Sequence, residues 1–190
     1  LAARGSNVAR LALDDELEGF DVRTALFLDT ETTGLAGGAG TVPFLIGIGF
    51  FTDAGFRVEQ LLLKEMGREK PLLRYLAGKI KEATSVVTFN GKSYDWPLLR
   101  TRFVMNRVKL PKLPPHFDLL HSSRRIFKHQ LSETKLTTLE REILGFHRVG
   151  DIPGSEIPER YFNYLNTGEG ALLDSIVEHN LHDILAMVAL

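Results

Sequence analysis

The sequence predicts a single α/β domain with a mixed five-stranded central sheet and helices on both faces. Its 190 residues, of which 44% are hydrophobic, are enough to bury one sizeable core. Three apolar segments of strand length precede the first amphipathic helical segment. Further strand-length segments then alternate with helical ones. A run of three consecutive strands followed by such alternation favours a mixed sheet between layers of helices.

The first half of the chain contains an acidic lead-in and three strands. Residues 1–22 lack a regular apolar pattern, so we separate them as a helical or irregular lead-in from a domain over 23–190. Short apolar runs predict strands at 24–30, 43–51 and 56–63. A turn at 52–55 makes the last two a hairpin. The apolar spacing at 69–83 predicts an amphipathic helix.

The second half alternates strands and helices. The apolar run at 85–89 predicts a fourth strand, and 95–108 a helix with Pro97 in its first turn. Residues 116–120 form either a short fifth strand or the start of a helix. The remaining segments are predicted as helices at 120–128 and 135–144, a loop rich in Gly and Pro at 146–160, and helices at 159–166 and 170–190.

Composition excludes several classes of protein. The sequence has no cysteine, which rules out disulfides, thiolate nucleophiles and cysteine zinc sites and fits a cytoplasmic location. No apolar run approaches the roughly 18 residues of a membrane span, so we expect no membrane association. The chain begins with Leu1 and stops within an apolar helical pattern. We therefore expect a domain of a longer protein, with an additional C-terminal domain possible.

Charge is unevenly distributed although the formal net charge is only -1. Between Lys92 and Lys128 there are nine lysines and arginines against two acids, whereas from Asp151 onward seven acids face Arg160 alone. A basic middle beside an acidic pocket suits a polyanion held over metal-binding carboxylates. A solvated charged face is the alternative explanation.

The first acidic motif is FLDTETTGL, which holds Asp29 and Glu31. Side chains two apart on a strand point to the same side, so both carboxylates can face one site. The alternative interpretation is that the same residues form an ordinary turn with a helix cap. The preceding strand is apolar enough to be buried. This favours a functional site over a turn, because acids are rarely buried without partners.

The second motif, VVTFNGKSYDWPLL, places Asp95 near the start of a helix after a strand and a turn at Asn90. Capping of the helix is the alternative role for Asp95, and satisfaction of its own turn the alternative for Asn90. Asp118, at the expected end of the fifth strand, could support the acidic cluster from behind.

The third motif, HNLHDIL, places His179 and Asp183 one helical turn apart, so their side chains are neighbours. This spacing suits a carboxylate ligand beside a base that takes a proton from water. A surface His–Asp pair would show the same spacing. A zinc site from His179, His182 and Asp183 is disfavoured, because three ligands within five residues fit one helix poorly.

Together, Asp29, Glu31, Asp95 and Asp183 predict a cluster that needs cations. Four converging carboxylates repel one another unless metal ions or protons neutralise them. Clusters of oxygen ligands suit Mg²⁺ or Mn²⁺. We therefore expect two divalent cations and phosphodiester hydrolysis.

In these motifs the sequence resembles the DEDD superfamily of 3′–5′ exonucleases, which has a ribonuclease H-like fold. The second motif is similar to that of the family B DNA polymerase proofreading domain. With DIPGSEIPERYFNYL before the last helix, the arrangement resembles bacterial ribonuclease H-like domains of the YprB type. The resemblance implies metal ligation by the four acids, water orientation by His179, and contacts of Thr32 and Leu35 with the terminal nucleotide. One departure is that His179 has the spacing of the tyrosine-type members, while Glu178 stands where a histidine is expected.

We therefore expect a two-metal-dependent nuclease, foremost a 3′–5′ exonuclease on single-stranded DNA or RNA. The alternatives are a catalytically silent nucleic-acid-binding module and a structure-specific endonuclease. Beyond the motif residues already named, the candidate substrate contacts are Asn90, Lys92, Tyr94, Arg124 and Arg125. The choice between DNA and RNA, which depends on contacts to the 2′-OH, and the oligomeric state stay open.

Overall fold

A five-stranded mixed sheet in the order β3-β2-β1-β4-β5 forms the centre of the computed structural model, which describes residues 5–34 and 40–190. The strands are β1 (Ala25–Thr32), β2 (Pro43–Thr52), β3 (Gly55–Leu62), β4 (Ser85–Thr88) and β5 (His116–Asp118). β2 pairs antiparallel with both β1 and β3, whereas β4 runs parallel to β1 and β5. The predicted fold class is thus confirmed.

The α-helices of the described residues follow the predicted order and differ from the prediction mainly at their ends, as in the helix predicted at 95–108, which ends at Met105. They are α1 (Gly5–Ala12), α2 (Lys70–Glu82), α3 (Asp95–Met105), α4 (Leu119–Phe127), α5 (Leu136–Leu139), α6 (Ile157–Thr167) and α7 (Ala171–Ala189).

Three segments between residues 116 and 160 either differ from the predicted secondary structure or resolve an alternative that the prediction left open. The ambiguous segment at 116–120 is a strand followed at once by α4, whose first turn is capped by the Asp118 carboxylate. The helix predicted at 135–144 is one α-helical turn that widens into a π-helical turn at Glu140–Leu144. The predicted loop ends earlier, because α6 begins at Ile157 with a proline in its first turn, where the missing N–H costs no hydrogen bond.

Alternation along β1 divides the core between the two faces of the sheet. Ala25 and Phe27 pack with α1, α4 and α7 on one face. Leu26 and Leu28 pack with α2 and α3 on the other. Because both faces are covered, the central strands are apolar throughout their first halves.

The lead-in packs onto the domain instead of extending from it. Val8, Ala9 and Leu17 are buried in the core on the α4 side. The Ser122 hydroxyl donates to the Leu11 carbonyl over 3.2 Å. Within 5–34 and 40–190, no helix has both the length and the apolar character needed to cross a membrane.

Candidate metal centre

Asp29 and Glu31 continue the alternation of β1 and therefore face the side of the sheet on which α7 packs. Their neighbours two and four residues earlier, Ala25 and Phe27, lie in the core beneath α7. The Glu31 side chain keeps only a small exposed surface, its residue being 9% accessible. β1 thus places two carboxylates at the edge of the hydrophobic core.

Asp95 reaches the same edge from the first turn of α3. It is buried, and its Oδ1 accepts a 2.6 Å hydrogen bond from the Thr30 hydroxyl on β1. The residue that precedes the helix is Tyr94, so Asp95 is not the helix cap.

Asp118 fixes the turn that leads into α3. Its carboxylate accepts from the backbone N–H groups of Asn90 (2.8 Å), Lys92 (2.9 Å) and Leu120 (3.1 Å). Asn90 has a left-handed backbone, with φ of 67°, a conformation that asparagine tolerates better than most residues. Asp118 therefore holds both the turn of the second motif and the start of α4.

Two glycines in β2 allow α7 to lie directly on the sheet. A Cβ at Gly47 would lie 2.2 Å from Oδ1 of Asn180, and one at Gly49 would lie 2.6 Å from Cγ2 of Ile184. Asn180 and Ile184 are one helical turn apart on the buried face of α7. This close packing brings Asp183 to the carboxylates of β1.

Asn180 connects α7 to the strands through a buried amide. Its Nδ2 donates to Oδ2 of Asp29 over 2.8 Å, and its Oδ1 accepts from Nε2 of Gln60 over 3.0 Å. The Gln60 amide also donates to the Val177 carbonyl. Because Gln60 must donate, the amide of Asn180 presents its NH₂ to Asp29 and holds that carboxylate in place.

The acids of the cluster have too little positive charge nearby to neutralise them all. Burial and the neighbouring charges of Asp183, Glu31 and Asp95 raise the pKa of Asp29 well above its ordinary value. Burial and the charges of Asp183 and Asp95 raise the pKa of Glu31 to about 8. Burial raises the pKa of Asp95 to about 6 in spite of the Thr30 hydrogen bond. The site is therefore built to take up protons or cations.

Glu31, His179 and Asp183 form the tightest group in the cluster. One ligand atom from each lies within 4.8 Å of the other two. Nε2 of His179 is 3.7 Å from Oδ2 of Asp183, and both side chains are mostly buried. The other ring nitrogen, Nδ1, lies 2.7 Å from Oδ1 of Asp151.

Arg148 brings a positive charge to the outer side of this group, a role that the sequence analysis missed. Its guanidinium binds Asp183 and Glu140, with Nε 2.7 Å from Oε2 of Glu140, and its Nη1 lies 3.2 Å from Oδ2 of Asp151. Glu140 comes from the π-helical turn. The segment before α6 was predicted as a loop rich in Gly and Pro, with no role for Arg148, which lies three residues before Asp151.

The His179–His182–Asp183 zinc alternative is not supported by the geometry. The His182 ring packs against Phe146, with 5.3 Å between ring centroids, and its Nδ1 is buried. Within the part of the chain that the structure describes, the histidine grouped with carboxylates is His179. The third ligand atom of that group comes from β1.

The predicted substrate contacts divide into those near the second motif and those tied to the lead-in. Asn90 and Arg124 line one cleft of about 540 Å³, and the Tyr94 side chain is exposed. Lys92 instead lies 3.4 Å from the Asp14 carboxylate, and Arg125 donates to the Leu11 carbonyl.

The other two predicted contacts follow β1. The Thr32 hydroxyl donates to the Gly34 carbonyl over 2.9 Å, just beyond the two acids of the strand. Leu35 lies outside the described residues.

Comparison with known proteins defines the class: the chain belongs to the RNase H superfamily, whose family model matches residues 26–190. It is 41% identical over 175 residues to the protein named "Uncharacterized protein YprB" of Bacillus subtilis strain 168, a match that covers 91% of this chain and 42% of that protein. The resemblance expected from the motifs is confirmed.

A solved structure shares the fold. The family B DNA polymerase from the hyperthermophilic archaeon Pyrobaculum calidifontis matches with a TM-score of 0.67 and 17% identity, over 86% of this chain and 23% of the polymerase. Membership in the superfamily supports nuclease activity and a nucleic-acid substrate. RNase H-like nucleases generally use divalent metal ions.

Proposed function

We propose that this domain is a two-metal-dependent nuclease, and specifically a 3′–5′ exonuclease that acts on single-stranded DNA or RNA. The observation that carries the proposal is the convergence of Asp29, Glu31, Asp95 and Asp183 in one poorly solvated site, where burial and mutual repulsion raise the pKa of three of them. Such a site is costly to the fold unless cations occupy it.

The donor set fits Mg²⁺ or Mn²⁺, because it consists mainly of carboxylate oxygens. Asp29 feels the charges of the other three acids, so it is the candidate for a ligand shared by two cations. When bound, the two cations would supply Lewis-acid activation of water and stabilisation of the leaving 3′ oxygen. Asn180 and Thr30 hold Asp29 and Asp95 in orientation through their hydrogen bonds.

The cleft beside the second motif supports a strand of nucleic acid as the substrate. Arg124 brings positive charge to it, Lys135 there is paired with Glu133 over 2.8 Å, and Phe89 contributes an aromatic ring. Cationic side chains with aromatic rings are the usual means of holding a single strand, since the charges follow the phosphates and the rings stack on bases. Tyr94 is exposed nearby on the same turn and extends this surface.

The test is digestion of single-stranded DNA and RNA, labelled at the 5′ end, with Mg²⁺, Mn²⁺ or EDTA. We expect stepwise shortening of the strand in either metal and none in EDTA. Asp29→Ala should abolish cleavage and leave the circular dichroism spectrum unchanged. Asp53→Ala, which removes an exposed acid from the turn between β2 and β3, should cleave as fast as the parent chain.

The outcomes separate the proposal from its alternatives. Cleavage by Asp29→Ala at the parent rate would show that the acidic cluster is not the active site. Cleavage of a closed single-stranded circle as fast as of a free-ended strand would indicate an endonuclease. Binding of the strand without any metal-dependent cleavage would indicate a silent binding module.

A further inference from the structure

We infer that His179 is itself a ligand of one of the cations, so that Glu31, His179 Nε2 and Asp183 form a mixed nitrogen and oxygen site that prefers a transition-metal ion such as Mn²⁺ to Mg²⁺. The inference rests on the proposed function in one respect, namely that the acidic cluster binds divalent cations. It goes beyond that function by giving the histidine a different role and the site a metal preference.

The distances fit two ligands of one ion better than a direct contact. Nε2 of His179 and Oδ2 of Asp183 are 3.7 Å apart, which exceeds the roughly 3.2 Å limit of an ordinary hydrogen bond. Two ligand atoms that each lie about 2.1 Å from one cation are separated by at most about 4.2 Å. A carboxylate oxygen of Glu31, on β1, lies within 4.8 Å of one ligand atom of each of these two residues.

The other side of the ring is arranged as it is in metal-binding histidines. Nδ1 lies 2.7 Å from Oδ1 of Asp151, and because a carboxylate can only accept, the hydrogen of this bond belongs to Nδ1. A neutral ring held in this way carries its lone pair on Nε2, 3.7 Å from Oδ2 of Asp183. A carboxylate on the far nitrogen is the usual support of a histidine that ligates a metal.

Asp151 and Asp183 are themselves held by Arg148. Its Nη1 lies 3.2 Å from Oδ2 of Asp151, and the Ile152 N–H donates to Oδ1 over 3.0 Å. Nη1 also lies 3.5 Å from Nδ1 of His179, too far to compete with the carboxylate for it. The same guanidinium binds Oδ1 of Asp183, which leaves Oδ2, the oxygen nearer the histidine, for a cation.

A histidine ligand changes both the chemistry and the metal preference. A nitrogen that donates its lone pair to an ion cannot accept a proton from water, so His179 acts as a ligand and not as the general base. Mg²⁺ prefers oxygen ligands and retained waters. Imidazole suits first-row transition-metal ions such as Fe²⁺ and Zn²⁺, the series of which Mn²⁺ is the weakest-binding member. The site therefore favours Mn²⁺ over Mg²⁺ through His179.

The experiment is pulsed electron paramagnetic resonance on the domain loaded with less than one equivalent of Mn²⁺. We expect a coupling to ¹⁴N of imidazole that is replaced by a ¹⁵N coupling when the histidines are labelled with ¹⁵N. This labelling test needs no substitution and so does not depend on the folding of a variant. The ¹⁴N coupling should disappear in His179→Ala and persist in His147→Ala, which removes an exposed histidine.

Calorimetric titration gives a second readout that does not involve cleavage. His179→Ala should weaken Mn²⁺ binding by at least about tenfold and Mg²⁺ binding much less, and Asp151→Ala should weaken Mn²⁺ binding by about 10- to 100-fold, as loss of such a supporting carboxylate does elsewhere. His147→Ala should change neither affinity.

Each outcome decides the inference. Mn²⁺ binding without a histidine coupling, or a coupling that persists in His179→Ala, would overturn the ligand role while leaving the nuclease proposal intact. Equal loss of Mn²⁺ and Mg²⁺ affinity in His179→Ala would overturn the metal preference. A chain that binds no Mn²⁺ at all would refute both the inference and the proposed function.

Discussion

At the scale of a single residue, Glu31 shows the electrostatic cost of the acidic cluster. Burial and the charges of Asp183 and Asp95 raise its pKa to about 8. His116 is the opposite case, because burial next to Thr88 lowers its pKa to about 4. The two residues therefore give stability an opposite dependence on pH.

In the metal-free domain, the free energy of unfolding should fall as pH rises from about 6.5 to about 8. In this window the folded chain keeps the proton of Glu31, whereas the unfolded chain has lost it, so deprotonation favours unfolding. The slope is at most about 1.4 kcal/mol per pH unit for each such carboxyl. Urea unfolding in EDTA across this window measures it.

Two variants test the assignment of that slope. Glu31→Gln should flatten the fall in stability, whereas Glu178→Gln, an exposed acid on α7, should leave it unchanged. An undiminished slope in Glu31→Gln would mean that Glu31 does not contribute, since Asp29, whose pKa is also raised, should by itself leave only a smaller slope. Below about pH 6.5 the unfolded chain protonates His116 and the folded chain does not, which offsets one of the raised carboxyls, so the gain in stability on further acidification should become shallower.

Removal of Arg148 should strongly destabilise the domain. The side chains of Arg148 and Glu140 are 5% and 2% exposed, and Arg148 also neutralises Asp183. Arg148→Met leaves buried carboxylates without a partner, so we expect a loss of about 3–5 kcal/mol in the free energy of unfolding. Urea denaturation in EDTA provides the measurement.

A double substitution and a surface substitution serve as controls. Arg148→Met combined with Glu140→Leu removes one of the stranded charges and should recover part of the loss. Arg141→Met removes an exposed arginine paired with Glu142 and should cost less than about 1 kcal/mol. No loss in Arg148→Met alone would contradict the buried network.

At the scale of elements, the packing of α7 on β2 controls the position of two candidate ligands. Gly47→Ala places a Cβ 2.2 Å from the Asn180 amide, so either the amide or the helix must move. We expect a loss of about 1–3 kcal/mol from overpacking. We also expect cleavage to fall by tenfold or more, since misplacement by about 1 Å can cost about 100-fold. Urea unfolding and the strand-shortening assay measure the two effects.

Gly78→Ala is the matched control for this substitution. Gly78 lies within α2, and a Cβ there would meet nothing within 4 Å. Alanine should therefore stabilise the domain by roughly 0.5–1 kcal/mol through its helix propensity and leave cleavage unchanged. An equal loss of activity in both variants would show that the contact with Asn180 does not position the site.

The sequence was sufficient for the elements whose signal is local. Alternation and short apolar runs predicted the strands. A helical apolar period predicted the buried face of α7 from Leu173, Ile176, Val177, Leu181, Ile184 and Val188. Of these, Leu173, Ile176 and Ile184 are buried and the other three are half-buried. The ends of elements were less predictable where tertiary contacts decide them. The π-helical turn, for example, carries the buried Glu140 that binds Arg148.

The supporting residues of the site could not be predicted in the same way. Asn180 donates to Asp29 from 151 positions away, and Arg148 meets Asp183 across 35. Such pairs leave no periodic pattern in the chain. The four acids were conspicuous because charged residues directly follow or interrupt apolar segments, whereas an asparagine in a helix or an arginine in a loop is unremarkable by itself.

At the scale of the whole molecule, the candidate centre joins the sheet to helices on both of its faces. Asp29 and Glu31 lie on β1, Asp95 on α3 and Asp183 on α7. A cation held between them should therefore stabilise the entire fold, because it binds only the folded arrangement. At 100 times the dissociation constant the gain is about 2.7 kcal/mol.

We expect Mn²⁺ to raise the melting temperature of the domain and EDTA to reverse the change. Asp183→Asn should lose most of this shift, because it removes a ligand on α7. Asp174→Asn, which alters an exposed acid on the same helix, should keep it. Differential scanning fluorimetry in both metals measures the shift, and a full shift in Asp183→Asn would exclude that residue as a ligand.

The paired glycines of β2 also restrict how α7 can be seated. Two residues of a strand span about 6.8 Å, and the four residues from Asn180 to Ile184 rise about 6 Å along the helix axis. The two side chains are therefore spaced almost as Gly47 and Gly49 are, and each lies over one of these glycines. Sliding the helix by a single residue would rotate it by about 100° and turn Asn180 and Ile184 away from the two glycines. The alignment of Asp183 with Asp29 and Glu31 is consequently fixed. α7 docks in one register, and gradual adjustment of the site by sliding along the helix axis is sterically blocked.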